Sequence, residues 1–242
     1  MTMPGLMRQA AAVCLIGVAS HAHAANLQIS PVLLNLDGAE RAATMTLRNE
    51  GAAPIYGQVR VYAWSQTPTE DVLRETEALV ASPPMIQIAP GGTQVIRLLQ
   101  HEPAARSGET PYRLIIDEIA PSDSMSATGV QVRLRYSVPV FVGAAPQAPV
   151  ERQLTWSLVR EGPDWALQVS NSGAHRAQLS DVTLVVGGRK HRVRDGLLGY
   201  VLGNSVRQWR LPFRPELGGP ISVSARINSV PGQAAVQSGT GK

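Results

Sequence analysis

The sequence predicts an all-β protein made of two β-sandwich domains, and three observations support this. Short apolar runs that alternate with polar residues follow one another along almost the whole chain, and turn residues such as Asp-Gly and Pro-Gly-Gly separate them. A connector rich in proline and alanine, residues 143–150, divides these runs into two series. The length of 242 residues suffices for two domains that each bury a core.

The first 24 residues have the pattern of an export signal. Arg8 precedes a short apolar segment, and Ala22-His23-Ala24 is a small-x-small cleavage motif. We therefore expect residues 1–24 to be a signal peptide, the mature chain to begin near Ala25, and the protein to be exported. The one cysteine, Cys14, lies inside this segment, so we expect no disulfide in the mature chain.

The first domain, residues 25–142, is predicted to contain about seven strands. Its runs include RAATMTLRN, IYGQVRVYAWSQ, QVIRLLQ and YRLIIDEIAP. Antiparallel strands at this spacing within roughly 120 residues are typical of a Greek-key sandwich of the immunoglobulin type. The stretch TEDVLRETEALV, residues 69–80, is the exception, because its apolar spacing predicts a short helical turn.

The second domain, residues 151–230, is predicted to be another, less regular sandwich. Its runs include RQLTWSLVR, DWALQVSNSG, AQLSDVTLVV and GPISVSARIN. The tail, residues 231–242, is small and polar, and we expect it to be disordered.

The last run of the first domain, residues 129–143, is unusually long. The apolar residues that share one face are Val130, Val132, Leu134, Tyr136, Val138, Val140 and Val142. A strand of about 14 residues at roughly 3.3 Å each measures about 46 Å, whereas common strands measure about 17–20 Å. The alternation alone favours packing against the domain's own core, but the excess length raises the question of what covers the rest of this face.

Composition and motifs argue against catalysis. The net charge of +4 is dispersed, and the densest basic cluster, residues 187–196, is interpreted as a solvated hairpin, so we expect no nucleic-acid partner. His101, His175 and His191 are scattered without metal-ligand spacing, and no nucleophile elbow, phosphate loop or calcium loop is present. The sequence therefore predicts no enzyme activity, no cofactor, no metal and no small-molecule substrate.

Five phrases in the first domain resemble a known family. In order they are SPVLLNL, RNEGAAPIYGQVRVYAW, SPPMIQIAPGGTQVIRLL, YRLIIDEIAP and VRLRYSVPVFV. Together they are similar to the first domain of the PapD-like periplasmic chaperones, which assemble pili with an outer-membrane usher. The likeness is greatest to the divergent branch that serves spore coat U-like subunits. It covers residues 27–142, whereas the second domain is similar only in size and strand content.

This resemblance implies a fold and a function. The fold is two immunoglobulin-like sandwiches in an L or boomerang arrangement. The function is a periplasmic chaperone that holds pilus subunits by donor-strand complementation and delivers them to the usher. In such chaperones the long last strand of the first domain fills a groove in the subunit. The residues for this role here are Val130, Val132 and Leu134, with Tyr136 at the margin. Without a partner this stripe is an open edge, which favours self-association.

The resemblance also implies a pair of basic residues that hold the subunit's C-terminal carboxylate. Leu33 stands where the family has the arginine of the first strand. The last strand offers Arg135, or Arg133 if the register slips by two. The missing partner must then come from Arg97 or Arg113, and Arg97 ranks first because its strand neighbours are apolar and would desolvate the bond.

Two other functions are alternatives to a chaperone. A structural fibre subunit or adhesin should lack a complete strand set in one domain and carry a donor extension near its own N-terminus. A secreted hydrolase should show a clustered polar site. The sequence favours neither, because the long stripe ends the first domain and the polar residues that could catalyse a reaction are scattered.

Overall fold

The computed structural model describes most of both domains. The described residues are 27–37, 39–101, 108–119, 133–143, 146, 149–216 and 218–238. The predicted signal peptide and the candidate residues Val130 and Val132 lie outside these ranges.

Ten strands in the described residues form the first domain. They are β1 Leu27–Ser30, β2 Leu34–Leu36, β3 Ala42–Asn49, β4 Ile55–Gln66, β5 Asp71–Glu75, β6 Leu79–Ser82, β7 Met85–Ile88, β8 Thr93–Gln100, β9 Glu109–Ile119 and β10 Arg135–Gly143. One sheet has the order β1-β3-β8-β6, and the other has the order β2-β10-β9-β4-β5 with β7 also paired to β4. The two sheets make the predicted sandwich.

Alternating apolar residues of both sheets fill the core of the first domain. Met45 and Ile96 of the four-stranded sheet are fully buried, as are Leu114 and Val140 of the six-stranded sheet. Val138, Val140 and Val142 all belong to this core. The C-terminal part of the long stripe therefore covers the domain's own interior.

The helical turn predicted for residues 69–80 is wrong. This segment contains β5 and the start of β6 instead. β5 pairs with the C-terminal end of β4, and Leu79 is fully buried beside β8. Pairing with distant strands thus overrides a local spacing that is only weakly helical.

Seven strands form the second domain after a 3-10 turn at Val150–Gln153. They are β11 Leu154–Glu161, β12 Asp164–Asn171, β13 Ala177–Val186, β14 Arg189–Val201, β15 Ser205–Arg210, β16 Ile221–Ile227 and β17 Val230–Ser238. Their order is β14-β13-β16-β17-β11-β12-β15. The sheet folds over as a second sandwich, because Trp156 and Leu167 pack with Leu184 and Val223 in one core.

The predicted disordered tail is mostly a strand. β17 covers residues 230–238, pairs antiparallel with β16 and parallel with β11, and buries Val236. Small side chains suit this position because β17 joins the two halves of the sandwich, where Ala234 also packs against the core. Residues 239–242 lie outside the described ranges.

An aromatic cluster joins the two domains. Trp64 and Phe141 of the first domain pack around Tyr200 of the second, with ring centroids 5.6–5.8 Å apart. The Gln66 amide binds the second domain at two places, since its Nε2 donates to the Tyr200 carbonyl at 3.0 Å and its Oε1 accepts from the Leu202 amide at 2.9 Å. These contacts fix the two domains against each other.

A buried ion pair forms the other half of this joint. Glu109 of β9 accepts hydrogen bonds at 2.5 Å from both the backbone amide and the guanidinium of Arg176 in the second domain. The same guanidinium donates to Asn35 at 2.7 Å and lies 3.7 Å from the centre of the Phe141 ring. The Glu109 side chain is only 7% exposed, so this pair is shielded from water.

Replacing Glu109 with glutamine should weaken the joint. We expect the free energy of unfolding to fall by about 2–3 kcal/mol, somewhat less than the roughly 3–5 kcal/mol for removing one partner of a fully buried pair. Urea unfolding followed by tryptophan fluorescence measures this change. Asp195→Asn, which breaks the exposed pair with Arg192, is the control and should cost about 0–1 kcal/mol. Equally small effects of both substitutions would contradict a stabilising role for the Glu109 pair.

Candidate functional site

One edge of β10 is open over part of its length. On one side β9 pairs with all of Arg135–Gly143. On the other side β2 pairs only with Val140–Val142. In the described part of the chain, residues 135–139 therefore have no strand on that side, and their backbone groups are available to another strand.

Leu134 lies at the N-terminal end of this open edge. Its backbone carbonyl accepts a hydrogen bond from the Glu118 amide, and its amide donates to the Glu118 side chain, both at 3.1 Å. The backbone is thus held in an extended path, while the Leu134 side chain is 37% exposed. Leu134 has the same strand parity as Val138, so an apolar side chain in line with the core reaches solvent here.

Tyr136 lies between these two environments. It is partly buried and packs against the core of the first domain. Burial raises the pKa of its hydroxyl and the charge of Glu118 raises it further, whereas a hydrogen bond with the backbone of Leu27 opposes them. Tyr136 therefore packs at the end of the first domain's own core.

Arg135 is already paired with a carboxylate. Asp117 of β9 lies between two arginines: it accepts a 2.7 Å hydrogen bond from Arg60 and another from Arg135. Burial alone would raise the pKa of Asp117, but the hydrogen bonds from Arg135 and Arg60 outweigh it and hold that pKa below its ordinary value. Arg135 itself is 68% exposed, at the outer end of the sheet.

Arg97 does not lie with the other candidates. It is on β8 of the four-stranded sheet, opposite Thr44 and Ser82, and its side chain is exposed. Its apolar neighbours Ile96 and Leu98 point into the core and leave it facing solvent. The desolvation that ranked Arg97 first is therefore absent, and this ranking is wrong.

Arg113 lies at the joint between the domains. Its guanidinium is 3.7 Å from the centre of the Trp64 ring and 5.7 Å from that of Tyr200, and its nearest anion is Asp71 at 3.6 Å. The side chain is 14% exposed. Burial lowers the pKa of Arg113, partly offset by Asp71 and Tyr200. To the other described residues this guanidinium donates no hydrogen bond, so its donors are available for an acceptor.

Leu33 packs against the same aromatic cluster. It contacts the group formed by Trp64, Phe141, Tyr200 and Leu202. Position 33, where the resemblance implied an arginine, is thus apolar and lies beside Arg113 at the junction of the two domains.

Sequence reasoning missed one arginine at this junction. Arg207 of β15 donates to the Thr67 carbonyl at 3.2 Å and reaches Asp71 at 3.9 Å. Nothing near Arg207 in the sequence distinguishes it from the other arginines, because the contact depends on how the two domains meet.

The described residues contain no group of three or more His, Cys, Asp or Glu side chains that could hold a metal ion. Within the same ranges, no helix has the length and apolar character needed to cross a membrane.

Comparison with known protein families identifies one that matches the first domain. The model of the pili and flagellar-assembly chaperones, PapD N-terminal domain, matches residues 26–147. No curated protein sequence matches the chain significantly.

Several solved structures share the fold. One is the CsuC-CsuE chaperone-tip adhesion subunit pre-assembly complex of the archaic chaperone-usher Csu pili of Acinetobacter baumannii, with 24% identity, a TM-score of 0.68, and 89% of this chain and 100% of that chain covered. A second is the Pseudomonas aeruginosa CupB2 chaperone, with 19% identity, a TM-score of 0.58, and 86% and 97% covered. A third is the Salmonella enterica SafA pilin in complex with the SafB chaperone, with 18% identity, a TM-score of 0.58, and 87% and 94% covered.

The Asp117 cluster should give a defined pH dependence. Because the pKa of Asp117 in the folded protein lies below its ordinary value of 3.8, its contribution to stability is complete above that value and is lost as the pH falls through the folded-state pKa. We expect wild type to exceed Asp117→Asn in unfolding free energy by a constant amount from about pH 5 to 7, and by a shrinking amount below about pH 4. Urea midpoints over this range test it. A difference that does not change with pH would contradict the role of the carboxylate charge.

Proposed function

The chain belongs to the pili and flagellar-assembly chaperones with a PapD N-terminal domain, and we propose that it captures a pilus subunit in the periplasm and delivers it to an outer-membrane usher. The observation that carries this proposal is the open edge of β10, in line with the exposed Leu134. An incomplete sandwich can add this edge as its missing strand, because main-chain hydrogen bonds supply affinity and alternate side chains supply fit.

The unbroken alternation of β10 explains how one strand serves two proteins. Val138 and the valines after it fill the core of the first domain. The same parity continues to Leu134 and, in the sequence, to Val132 and Val130. These three side chains would enter the subunit's groove. Burying each is worth about 1.5–3 kcal/mol, so together they suffice for stable capture.

Arg113 is the residue that we propose for the subunit's C-terminal carboxylate. It is shielded from water, its guanidinium donors have no described acceptor, and it lies at the interdomain corner. Arg135 is less suitable because Asp117 already holds it, and Arg97 lies on the other sheet.

The relatives support a subunit as the partner. Two of the matched structures are described as chaperones in complex with a tip adhesion subunit and with a pilin. The likeness to the branch that serves spore coat U-like subunits makes such a subunit the partner that we propose. Self-association through the free edge is the state that we propose for the chaperone without its subunit. A fibre subunit or adhesin is not favoured, because the exposed stripe ends the first domain.

Substituting aspartate for Val132 and Leu134 together should abolish capture. A charged pair cannot enter an apolar groove, and losing two apolar contacts of this size weakens binding by about 100-fold or more. The measurement is the affinity for a pilus subunit that co-purifies with the wild-type chain, together with thermal melting of each variant. Leu197→Asp, on an exposed leucine of β14, is the control and should bind normally. Unfolding of the double variant would show that the stripe belongs to the chaperone's own core.

Arg113→Gln should remove the dependence of binding on the subunit's free C-terminus. Amidating that terminus should weaken binding to the wild type by about 10–100-fold, because a hydrogen bond to a charged group contributes about 1.5–3 kcal/mol. It should leave binding to Arg113→Gln unchanged. Arg97→Gln and Arg135→Gln are the matched controls and should respond like the wild type. If amidation still weakens binding to Arg113→Gln by the wild-type factor, Arg113 does not hold the carboxylate.

A further inference from the structure

The apolar pairs between β9 and β10 end at a glutamate. On the face that packs into the core of the first domain, three successive pairs of opposite residues are apolar or aromatic: Tyr112–Val140, Leu114–Val138 and Ile116–Tyr136. In the same register and on the same face, the next pair is Glu118 with Leu134. A carboxylate therefore stands at the point where the apolar row of β10 leaves the domain's own core.

Glu118 holds the backbone of Leu134 without covering its side chain. Opposite residues of a hydrogen-bonded antiparallel pair ordinarily exchange two backbone bonds. Here the Glu118 amide donates to the Leu134 carbonyl at 3.1 Å, but the Leu134 amide donates to the side-chain Oε2 of Glu118, also at 3.1 Å. The Leu134 side chain meanwhile stays 37% exposed. A polar contact thus fixes the position of Leu134 along β9, and apolar packing does not.

The second carboxylate oxygen of Glu118 is left without a partner. This oxygen, Oε1, is buried, and it accepts no hydrogen bond from the other described residues. Burial raises the pKa of the neighbouring Tyr136 hydroxyl, and the charge of Glu118 raises it further. An unpaired buried acceptor destabilises a fold, whereas an apolar residue at this position would form a favourable cross-strand pair with Leu134. Glu118 is therefore a costly choice for the stability of the chain alone.

We propose that Glu118 is a positioning residue for subunit capture, which fixes the strand register at Leu134 and keeps that side chain free for the subunit's groove. This inference rests on the proposed function, in which Leu134 enters the groove. An apolar residue opposite Leu134 would draw its side chain onto the domain's own sheet, as happens at Tyr136 and Val138. The carboxylate binds the backbone alone. Because a slip of one residue turns every side chain to the wrong face, this contact bears directly on capture.

Glu118→Leu tests this role because it should separate stability from capture. The variant removes the unpaired oxygen and gives Leu134 an apolar partner, so the thermal midpoint of the free chain should equal or exceed the wild-type value. The affinity for a pilus subunit that co-purifies with the wild-type chain should nevertheless fall by about tenfold or more, since Leu134 then packs on its own sheet. Scanning calorimetry and titration calorimetry measure the two quantities.

Two further variants are controls for this substitution. Glu118→Gln keeps the side-chain length and an acceptor oxygen for the Leu134 amide, so it should bind the subunit within about threefold of the wild type. Glu75→Leu makes the same apolar substitution at an exposed glutamate of β5 and should bind normally.

A double-variant cycle with Leu134→Ala connects the effect to Leu134. In the wild-type background, Leu134→Ala should weaken binding by about tenfold because an apolar contact in the groove is lost. In the Glu118→Leu background it should weaken binding by less than about threefold, since the leucine no longer reaches the groove. Such non-additivity is typical of residues that act through one another. A full tenfold loss in both backgrounds would overturn the inference.

The remaining outcomes distinguish this inference from the proposed function. A thermal midpoint of Glu118→Leu that falls together with its affinity would overturn the inference, because Glu118 would then only support the fold. Wild-type affinity of Glu118→Leu would also overturn it, as would binding by Glu118→Gln as weak as that of Glu118→Leu. In each case capture by the open edge would still be decided by the aspartate variant of Val132 and Leu134. Normal capture by that variant would overturn both.

Discussion

The unequal pairing of β10 is the constraint on which the rest of the structure depends. β9 binds the whole strand, whereas β2 binds only its last part, at Val140–Val142. Strand parity does not change between Val142 and Leu134. The row of side chains that fills the domain's own core therefore continues along the same face to Leu134, where one edge of the strand is open. Such an edge favours association with any exposed strand. In the proposed function this tendency serves capture, since the edge would stay open until a subunit pairs with it.

The second domain is held in a fixed position relative to this edge. The aromatic cluster and the bonds of Gln66 hold Tyr200 beside Arg113, and the Glu109–Arg176 pair secures the opposite side of the joint. A shift of one residue would turn every apolar side chain of a bound strand to the wrong face. A carboxylate anchor at the joint would set that register, because its distance from the open edge is built into the fold.

Local pattern was sufficient for the sheets and insufficient for the site. Period-two alternation predicted the two sandwiches, whereas the strand predicted over residues 129–143 begins only at Arg135 in the described part of the chain. The same local evidence failed at residues 69–80, where pairing with β4 decides the structure. It failed again at Arg97, because apolar neighbours in a strand point away from the residue between them. Arg207 could not be found at all, since its contact depends on how two domains meet.

The contacts that Leu33 makes where the two domains meet explain the absence of an arginine at position 33 better than its place in the strand does. Leu33 packs on the aromatic cluster that carries Arg113, so a charge placed there would displace apolar contacts of the joint. A carboxylate is recognised by the position of positive charge and of hydrogen-bond donors, and which strand supplies them does not matter. Arg113 and Arg207 approach the same corner from β9 and β15. In the proposed site Arg113 of β9 is the anchor at this joint, while Leu33 contributes apolar contacts to the joint itself.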